Sequence, residues 1–123
     1  MDERTLIALK ASIEKWEKNA VTIDFGEIKV GPIECPLCEL FNYDIDQNCR
    51  GCPVFEKTNS IRCKNTPYMT ADSLYDKLLR SMLNCWDEEE IKLSPLVKQS
   101  TQLFRKAALE EVEFLKSLLP NDS

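Results

Sequence analysis

The cysteines are the residues whose type and spacing could do chemistry in this chain. Five of the six lie in one stretch with the pattern Cys35-x2-Cys38-x10-Cys49-x2-Cys52-x10-Cys63. A gap of two residues lets two thiolates reach the same ion from one tight turn. Pro36 and Gly51, which lie inside the two pairs, favour such turns. Since two turns supply the four sulfurs that a tetrahedral metal ion takes, the spacing predicts a metal site.

Five cysteines are one more than a four-thiolate site needs, so two ligand sets compete. The simplest geometry uses both turns and gives the set Cys35, Cys38, Cys49 and Cys52. In the competing set Cys63 replaces Cys49 or Cys52, which would tie the following loop to the metal. Cys85 lies well outside this stretch on an apolar helical face, where we expect it to be a small buried hydrophobic residue.

The chain contains no histidine, and this bears on the role of the metal. Ser-His-Asp and Cys-His catalysis are excluded, and no histidine can act as a general base beside a metal. Four thiolates close the coordination sphere, so we expect a structural zinc ion and no enzymatic activity. An iron–sulfur cluster is the alternative, because four thiolates serve either centre. Four nearby carboxylates are interpreted as solvated loop charges: Glu39, Asp44, Asp46 and Glu56.

Charge and composition narrow the setting. The chain has 21 Asp and Glu against 16 Lys and Arg, a net charge of -5. No basic stripe is available to neutralise a phosphate backbone, whereas an acidic surface suits a basic protein partner. Residues 1–4 do not begin a signal peptide, and no apolar run approaches the length of a membrane span. We therefore expect a cytoplasmic protein with no membrane contact and with reduced thiols; a disulfide framework, the alternative for the cysteines, needs an oxidising compartment.

The expected fold is mainly α, a single domain in which about three amphipathic helices pack around an irregular cysteine-rich metal-binding region. Three blocks divide it: 1–32, 33–70 and 71–123. In the first, Leu6, Leu9, Ile13 and Trp16 share one face of a helix over 2–18. Alternation over 21–25, resumed at Ile28 and Val30, then predicts a short strand or β-hairpin that ends at Gly31-Pro32.

The last block reads as two helices. Thr70 or Asp72 is expected to cap the first, which runs to about Trp86. Its apolar face is expected in the core and consists of Leu74, Leu78, Met82 and Cys85, widened by Leu79, Leu83 and Trp86. The acidic run 87–90 is expected to be a solvated turn or a frayed helix end. Ser94-Pro95 then starts a second helix, which Pro120 stops. Its apolar stripe, also expected in the core, is Leu103, Phe104, Ala107, Ala108, Val112, Leu115, Leu118 and Leu119.

Three cysteine-bearing segments resemble those of a known group of proteins. They are Cys35-Pro36-Leu37-Cys38, Cys49-Arg50-Gly51-Cys52-Pro53-Val54 and Cys63-Lys64-Asn65-Thr66-Pro67-Tyr68. The chain thereby resembles small uncharacterised bacterial and phage proteins with a CPLC…CxGCPV…CxxTPY signature, an N-terminal helix with a tryptophan and a similar last helix. The resemblance implies that Cys63 belongs with the other four cysteines. It brings no activity, but a phage origin would fit an inhibitor of a host defence protein.

Together these features favour a small non-enzymatic protein-interaction module stabilised by zinc. One alternative is nucleic-acid binding through the cysteine block, where four basic residues cluster among aromatic residues that could stack on bases: Arg50, Lys57, Arg62 and Lys64. Another alternative is an iron–sulfur redox protein. Beside a protein partner, a homodimer through the broad apolar stripe of the last helix is a further arrangement that the sequence allows.

Overall fold

The computed structural model describes residues 1–22, 27–30, 36–37, 52–58 and 66–120. Five helices lie in these ranges: α1 (Glu3–Val21), α2 (Pro53–Thr58), α3 (Pro67–Leu83), α4 (Glu88–Leu93) and α5 (Pro95–Lys116). The described residues contain no β-strand, which confirms the mainly α class. None of these helices combines the length and the apolar character that crossing a membrane requires.

Helix α1 begins after Asp2, whose side chain caps it. The Thr5 backbone N–H donates to Asp2 Oδ1 at 2.7 Å, which satisfies one of the amides left open at a helix start. Of the face predicted from the sequence, Leu9, Ile13 and Trp16 are buried. The helix continues three residues beyond the predicted end and stops at Val21.

The predicted hairpin is not shown. Val21 is the last residue of α1, residues 27–30 form no strand, and residues 23–26 lie outside the described ranges. The segment 27–30 instead docks on α1 through one side chain. Asn19 Nδ2 donates to the Lys29 carbonyl at 2.9 Å, and the Lys29 N–H donates to Asn19 Oδ1 at 3.0 Å. The Asn19 amide thus satisfies both the N–H and the carbonyl of the Lys29 backbone, as an adjacent β-strand would. Ile28, the preceding residue, is buried.

Helix α3 begins earlier than the sequence reading predicted. Its cap is Thr66, whose hydroxyl accepts from the Tyr68 N–H at 3.3 Å, and Pro67 occupies the first turn. A capping hydroxyl followed by proline is also the signal at Ser94-Pro95. There the predicted start of α5 is confirmed, because the Val97 N–H donates to Ser94 Oγ at 3.3 Å. Proline fits the first turn since its missing N–H would have no partner there. At the other end α3 stops at Leu83, three residues before the predicted end.

The acidic run forms the start of a short helix. The Glu90 N–H donates to Asp87 Oδ1 at 2.8 Å, so Asp87 caps α4. Glu88, Glu89 and Glu90 then occupy its first turn, where negative side chains interact favourably with the helix dipole. The four acidic residues are exposed, as predicted, but they start a helix and do not form a turn or a frayed helix end.

The core forms where α5 packs against α1 and α3. Phe104 on α5 is 1% exposed and lies 6.5 Å from the Trp16 ring and 5.7 Å from the Tyr75 ring, measured between centroids. Towards the end of α3 and the start of α5, Ser81 Oγ and Ser100 Oγ share a buried hydrogen bond of 3.2 Å. One aromatic side chain therefore touches both of the helices that flank α5.

Replacing Phe104 with alanine should destabilise the protein by about 3–5 kcal/mol, because a fully buried ring leaves a cavity among three helices. Urea unfolding followed by circular dichroism measures this loss. The matched control is Leu109→Ala on the same helix, where the side chain is 53% exposed and the expected change is within about 0.5 kcal/mol. Equal effects of the two substitutions would contradict the packing described.

The Asp2 cap predicts a pH dependence. Its hydrogen bond with the Thr5 backbone N–H holds the pKa of Asp2 below the ordinary value of 3.8. A lowered folded-state pKa means that the ionised cap stabilises α1 above pH 3.8 and that this contribution is lost as the pH falls through the folded pKa. The difference in urea midpoint between the native chain and Asp2→Ala should therefore shrink between about pH 7 and about pH 2.

The matched control for the cap is Asp72→Ala, which removes an exposed carboxylate within α3. Since Asp72 caps no helix, the difference in urea midpoint between the native chain and Asp72→Ala should not shrink as the pH falls. A difference for Asp2→Ala that stays constant over the same pH range would show that the charge of the cap contributes nothing.

Candidate functional site

One of the five predicted metal ligands lies in the described part of the chain. Cys52 is 6% exposed and directly precedes α2, and its carbonyl accepts from the Glu56 N–H at 2.9 Å. The other four, Cys35, Cys38, Cys49 and Cys63, lie outside the described residues. The ligand set therefore stays a prediction, and so does the choice between the two competing sets.

The described residues next to these cysteines are buried in the helical core. Leu37, inside the first CxxC pair, is 2% exposed, and Val54, two residues after Cys52, is 3% exposed. Both belong to the cluster that contains Leu9, Leu78 and Phe104. The cysteine block thus contributes side chains to the same core as the long helices, although its sequence has no periodicity that would mark them.

Thr66 supplies a further attachment at the end of the block. It is 7% exposed, and it caps α3 three residues after Cys63. The block is thus joined to the helices near its beginning at Leu37, in its second half at Cys52 and Val54, and at its end at Thr66. A metal held by the intervening cysteines would fix loops that already have buried contacts on the helices.

Cys85 lies apart from the block and makes a local contact. It follows the end of α3, is half-buried against the core, and its Sγ donates to the Ser81 carbonyl at 3.7 Å. It forms no disulfide. The expected packing role is confirmed in part, since Cys85 packs against the core but remains partly exposed beyond the helix.

The residues of the nucleic-acid alternative and the nearby carboxylates are mostly not described. Lys57 and Glu56 lie exposed on α2. The remaining ones fall outside the described ranges: Arg50, Arg62, Lys64, Glu39, Asp44 and Asp46. Within those ranges, no group of three or more Cys, Asp or Glu side chains could hold a metal ion.

A groove between α1 and the segment 27–30 has a volume of about 630 Å³ and is lined in part by lysines. The Lys15 ammonium is buried and lies 5.0 Å from the centroid of the Trp16 ring. Lys18, on the rim, forms an ion pair with Glu14 at 3.3 Å. Because the Lys15 nitrogen is covered, a ligand in the groove would not contact it, and this cation serves packing against the indole.

Sequence reasoning missed a surface at the end of α3. Leu83 and Trp86 were expected to widen the apolar core face, but they are 83% and 94% exposed. Leu79 is also on the surface, at 37% exposure. For Trp86 the prediction is wrong because α3 ends at Leu83 and the chain turns there, so Trp86 does not continue the helical face. Leu79 and Leu83 lie within α3, on a part of its surface that the described residues leave exposed. Hydrophobic spacing alone cannot show that a helix stops short of its last apolar residues.

Hydrogen bonds hold the backbone that carries the exposed indole. The Cys85 backbone N–H donates to the Met82 carbonyl at 3.0 Å. The Trp86 backbone N–H donates to Glu90 Oε2 at 2.7 Å. Together with the cap from Asp87, this arrangement resembles a capping box, in which residues at both sides of a helix start satisfy each other's amides. Asp87 and Glu90 at this spacing were the sequence signal that could have located the turn. We call Leu83, Trp86 and the acidic residues 87–90 the Trp86 surface.

The chain was compared with protein-family models, with curated proteins and with solved structures, and none of these matches it. The resemblance to the bacterial and phage proteins therefore stays a prediction.

The spacing of the cysteines predicts that the chain binds a metal ion and that this binding requires Cys52 but not Cys85. The purified chain should contain about one zinc ion and no iron, because four thiolates form a closed zinc site and the sequence lacks the tight C-x2-C-x2-C ligand run of iron–sulfur proteins. Cys52→Ser should lower the zinc content, whereas Cys85→Ser, which makes the same atomic change outside the block, should leave it unchanged. Elemental analysis of protein purified without air measures both.

Chelation should in addition lower the free energy of unfolding, since the binding energy of a structural metal is folding energy. Full zinc content in Cys52→Ser would favour the set in which Cys63 replaces Cys52. A coloured protein that contains iron would overturn the zinc assignment.

Proposed function

We propose that this chain is a small non-enzymatic protein-interaction module that is stabilised by zinc and binds its partner through the Trp86 surface. The observation that carries the proposal is the exposure of the Trp86 side chain, 94%, on a turn held by hydrogen bonds. Tryptophan is the residue most enriched among those that dominate the binding energy of protein interfaces.

The size of the indole explains why it would act as an anchor. A tryptophan buries about 150–250 Å² on association. At about 25 cal/mol per Å², this corresponds to about 4–6 kcal/mol before the costs of association are subtracted. In the chain alone the exposed indole gains almost none of this, so its large apolar area is available to a partner. Leu83, three residues earlier in the sequence, is 83% exposed and is a second apolar side chain at this end of α3.

Preorganisation adds to the value of the surface. The Trp86 N–H is bonded to Glu90 at 2.7 Å, and Asp87 caps the next helix at 2.8 Å, so the turn is ordered before a partner arrives. A surface that is ordered in advance loses less conformational entropy on binding. The backbone that carries the indole would therefore hold one position relative to α3 and α4.

In this proposal the zinc ion holds the cysteine block to the helices and takes no part in chemistry. Leu37 and Cys52 contribute to the core, which supports a structural role for the loops around them. The lack of histidine and the four-thiolate ligand set favour a closed site over a catalytic one. An inhibitor of a host protein, the role that the resemblance to phage proteins implies, is one form that such a module would take.

Trp86→Ala should weaken binding of the partner by about tenfold or more without unfolding the chain, because the side chain is a surface anchor and not a core residue. The native chain would be used to isolate a partner from its own cells. That partner would then be purified and its affinity for each variant measured by calorimetry. The matched control is Leu109→Ala, which removes an exposed apolar side chain from α5.

The control should retain the affinity of the native chain within about twofold. The proposal fails if no purified protein binds the native chain, or if Trp86→Ala binds a reconstituted partner as tightly as Leu109→Ala does.

A further inference from the structure

We infer that the Trp86 surface binds an arginine-rich segment of a protein, with a guanidinium group stacked on the indole and paired with Glu88 or Glu89. The inference rests on the proposed function and specifies the chemistry of its partner. It follows from the charges around Trp86, from the way the hydrogen bonds divide the four acidic residues, and from the chemistry that joins an aromatic ring with carboxylates.

The sequence around the indole is predominantly acidic. Residues 81–91 contain four acidic side chains, at 87–90, and no lysine or arginine, and Lys92 follows in the last turn of α4. Arg80, the nearest basic residue before this stretch, forms an ion pair with Asp76 at 3.0 Å. All four acidic residues are exposed. A cationic partner is therefore attracted to the patch, whereas an anionic one is repelled.

Two of the four acidic residues have structural tasks. Asp87 caps α4, and Glu90 accepts from the Trp86 N–H. Glu88 and Glu89 make no ion pair with any residue in the described part of the chain. Asp87 and Glu90 thus fix the backbone at Trp86, and the carboxylates of Glu88 and Glu89 are available for a partner.

An aromatic ring with adjacent carboxylates matches the guanidinium group of arginine. The flat cation stacks on an indole face, and its N–H groups can donate two parallel hydrogen bonds to one carboxylate. Lysine offers the charge without the flat stacking surface or the paired donors, so it should bind more weakly. Leu83, which is 83% exposed, provides an apolar contact for a neighbouring side chain of the same segment.

The charge also opposes a second copy of this chain as the occupant. Each copy carries a net charge of -5, and a symmetric contact through this patch would bring the two acidic runs together. Like charges that face each other across an interface disfavour association. We therefore assign the surface to a basic segment of a different protein.

The probe that tests the inference is a synthetic peptide of alternating arginine and leucine, compared with peptides of equal length in which lysine or glutamate replaces arginine. Emission of the two tryptophans reports binding, since Trp86 is 94% and Trp16 is 2% exposed. The arginine peptide should protect Trp86 from quenching by acrylamide. Its affinity should fall between about 0.1 M and about 1 M salt, because screening weakens contacts between exposed charges.

Two pairs of variants give matched controls, with affinities measured by calorimetry. Trp86→Ala should weaken binding of the arginine peptide by about tenfold, and Leu109→Ala should not. Glu88→Gln with Glu89→Gln should weaken it by roughly fivefold. Glu110→Gln with Glu113→Gln makes the same change in net charge on α5, at exposed positions distant in sequence from the patch, and should leave the affinity within about twofold.

Several results would overturn the inference. These are a glutamate or lysine peptide that binds as tightly as the arginine peptide, glutamine pairs that both weaken binding equally, and a dimer, detected by sedimentation, that Trp86→Ala dissociates. Absence of any binding to the arginine peptide would also refute it. In that case a reconstituted partner that still requires Trp86 would leave the proposed function standing, whereas a partner indifferent to Trp86 would end both.

Discussion

The core depends on the packing of Phe104, on α5, between α1 and α3. Its ring lies near Trp16 of α1 on one side and near Tyr75 of α3 on the other. Trp16 also contacts Tyr68 edge to face, with 6.0 Å between centroids, so the aromatic contacts run from α1 to the start of α3. Aromatic pairs in such arrangements contribute beyond the area that they bury. Helix α5 is thereby the element on which the other two long helices are placed.

The position of the Trp86 surface follows from where this core ends. Leu78 is fully buried, whereas Met82 one turn later is only partly buried and Leu83 is almost fully exposed. The core therefore ends along α3 before the helix itself does. Cys85 turns back towards Ser81, and the chain enters α4 with the indole outside the packed layer. Leu83 and Trp86 therefore remain on the surface, since none of the described residues buries them.

Much of the helical arrangement could be predicted from the sequence. The spacing of Leu9, Ile13 and Trp16 identified the buried face of α1, and Ser94-Pro95 located the start of α5. The start of α3 at Pro67 lies inside the block predicted to be irregular, although Thr66-Pro67 carries the same capping signal as Ser94-Pro95. The burial of Leu37 and Val54 could not be found, since a loop that crosses a core once or twice leaves no period of 3.6 or 2 residues to detect.

The exposure of Trp86 was beyond sequence reasoning for a different reason. An apolar residue at helical spacing indicates a face, but whether another element covers that face depends on the whole fold. Two parts of the molecule take part in the proposed function, the Trp86 surface and the cysteine block. Among the described residues, the hydrogen bonds that fix the Trp86 turn join residues 81–90 to one another. The cysteine block, in contrast, reaches the core through Leu37, Cys52, Val54 and Thr66. The local hydrogen bonds around Trp86 are therefore separate in sequence from the predicted metal ligands, and the two parts are connected through the core that contains Phe104. A metal that stabilises the block would support the interaction surface indirectly, by stabilising the helices from which the Trp86 turn projects.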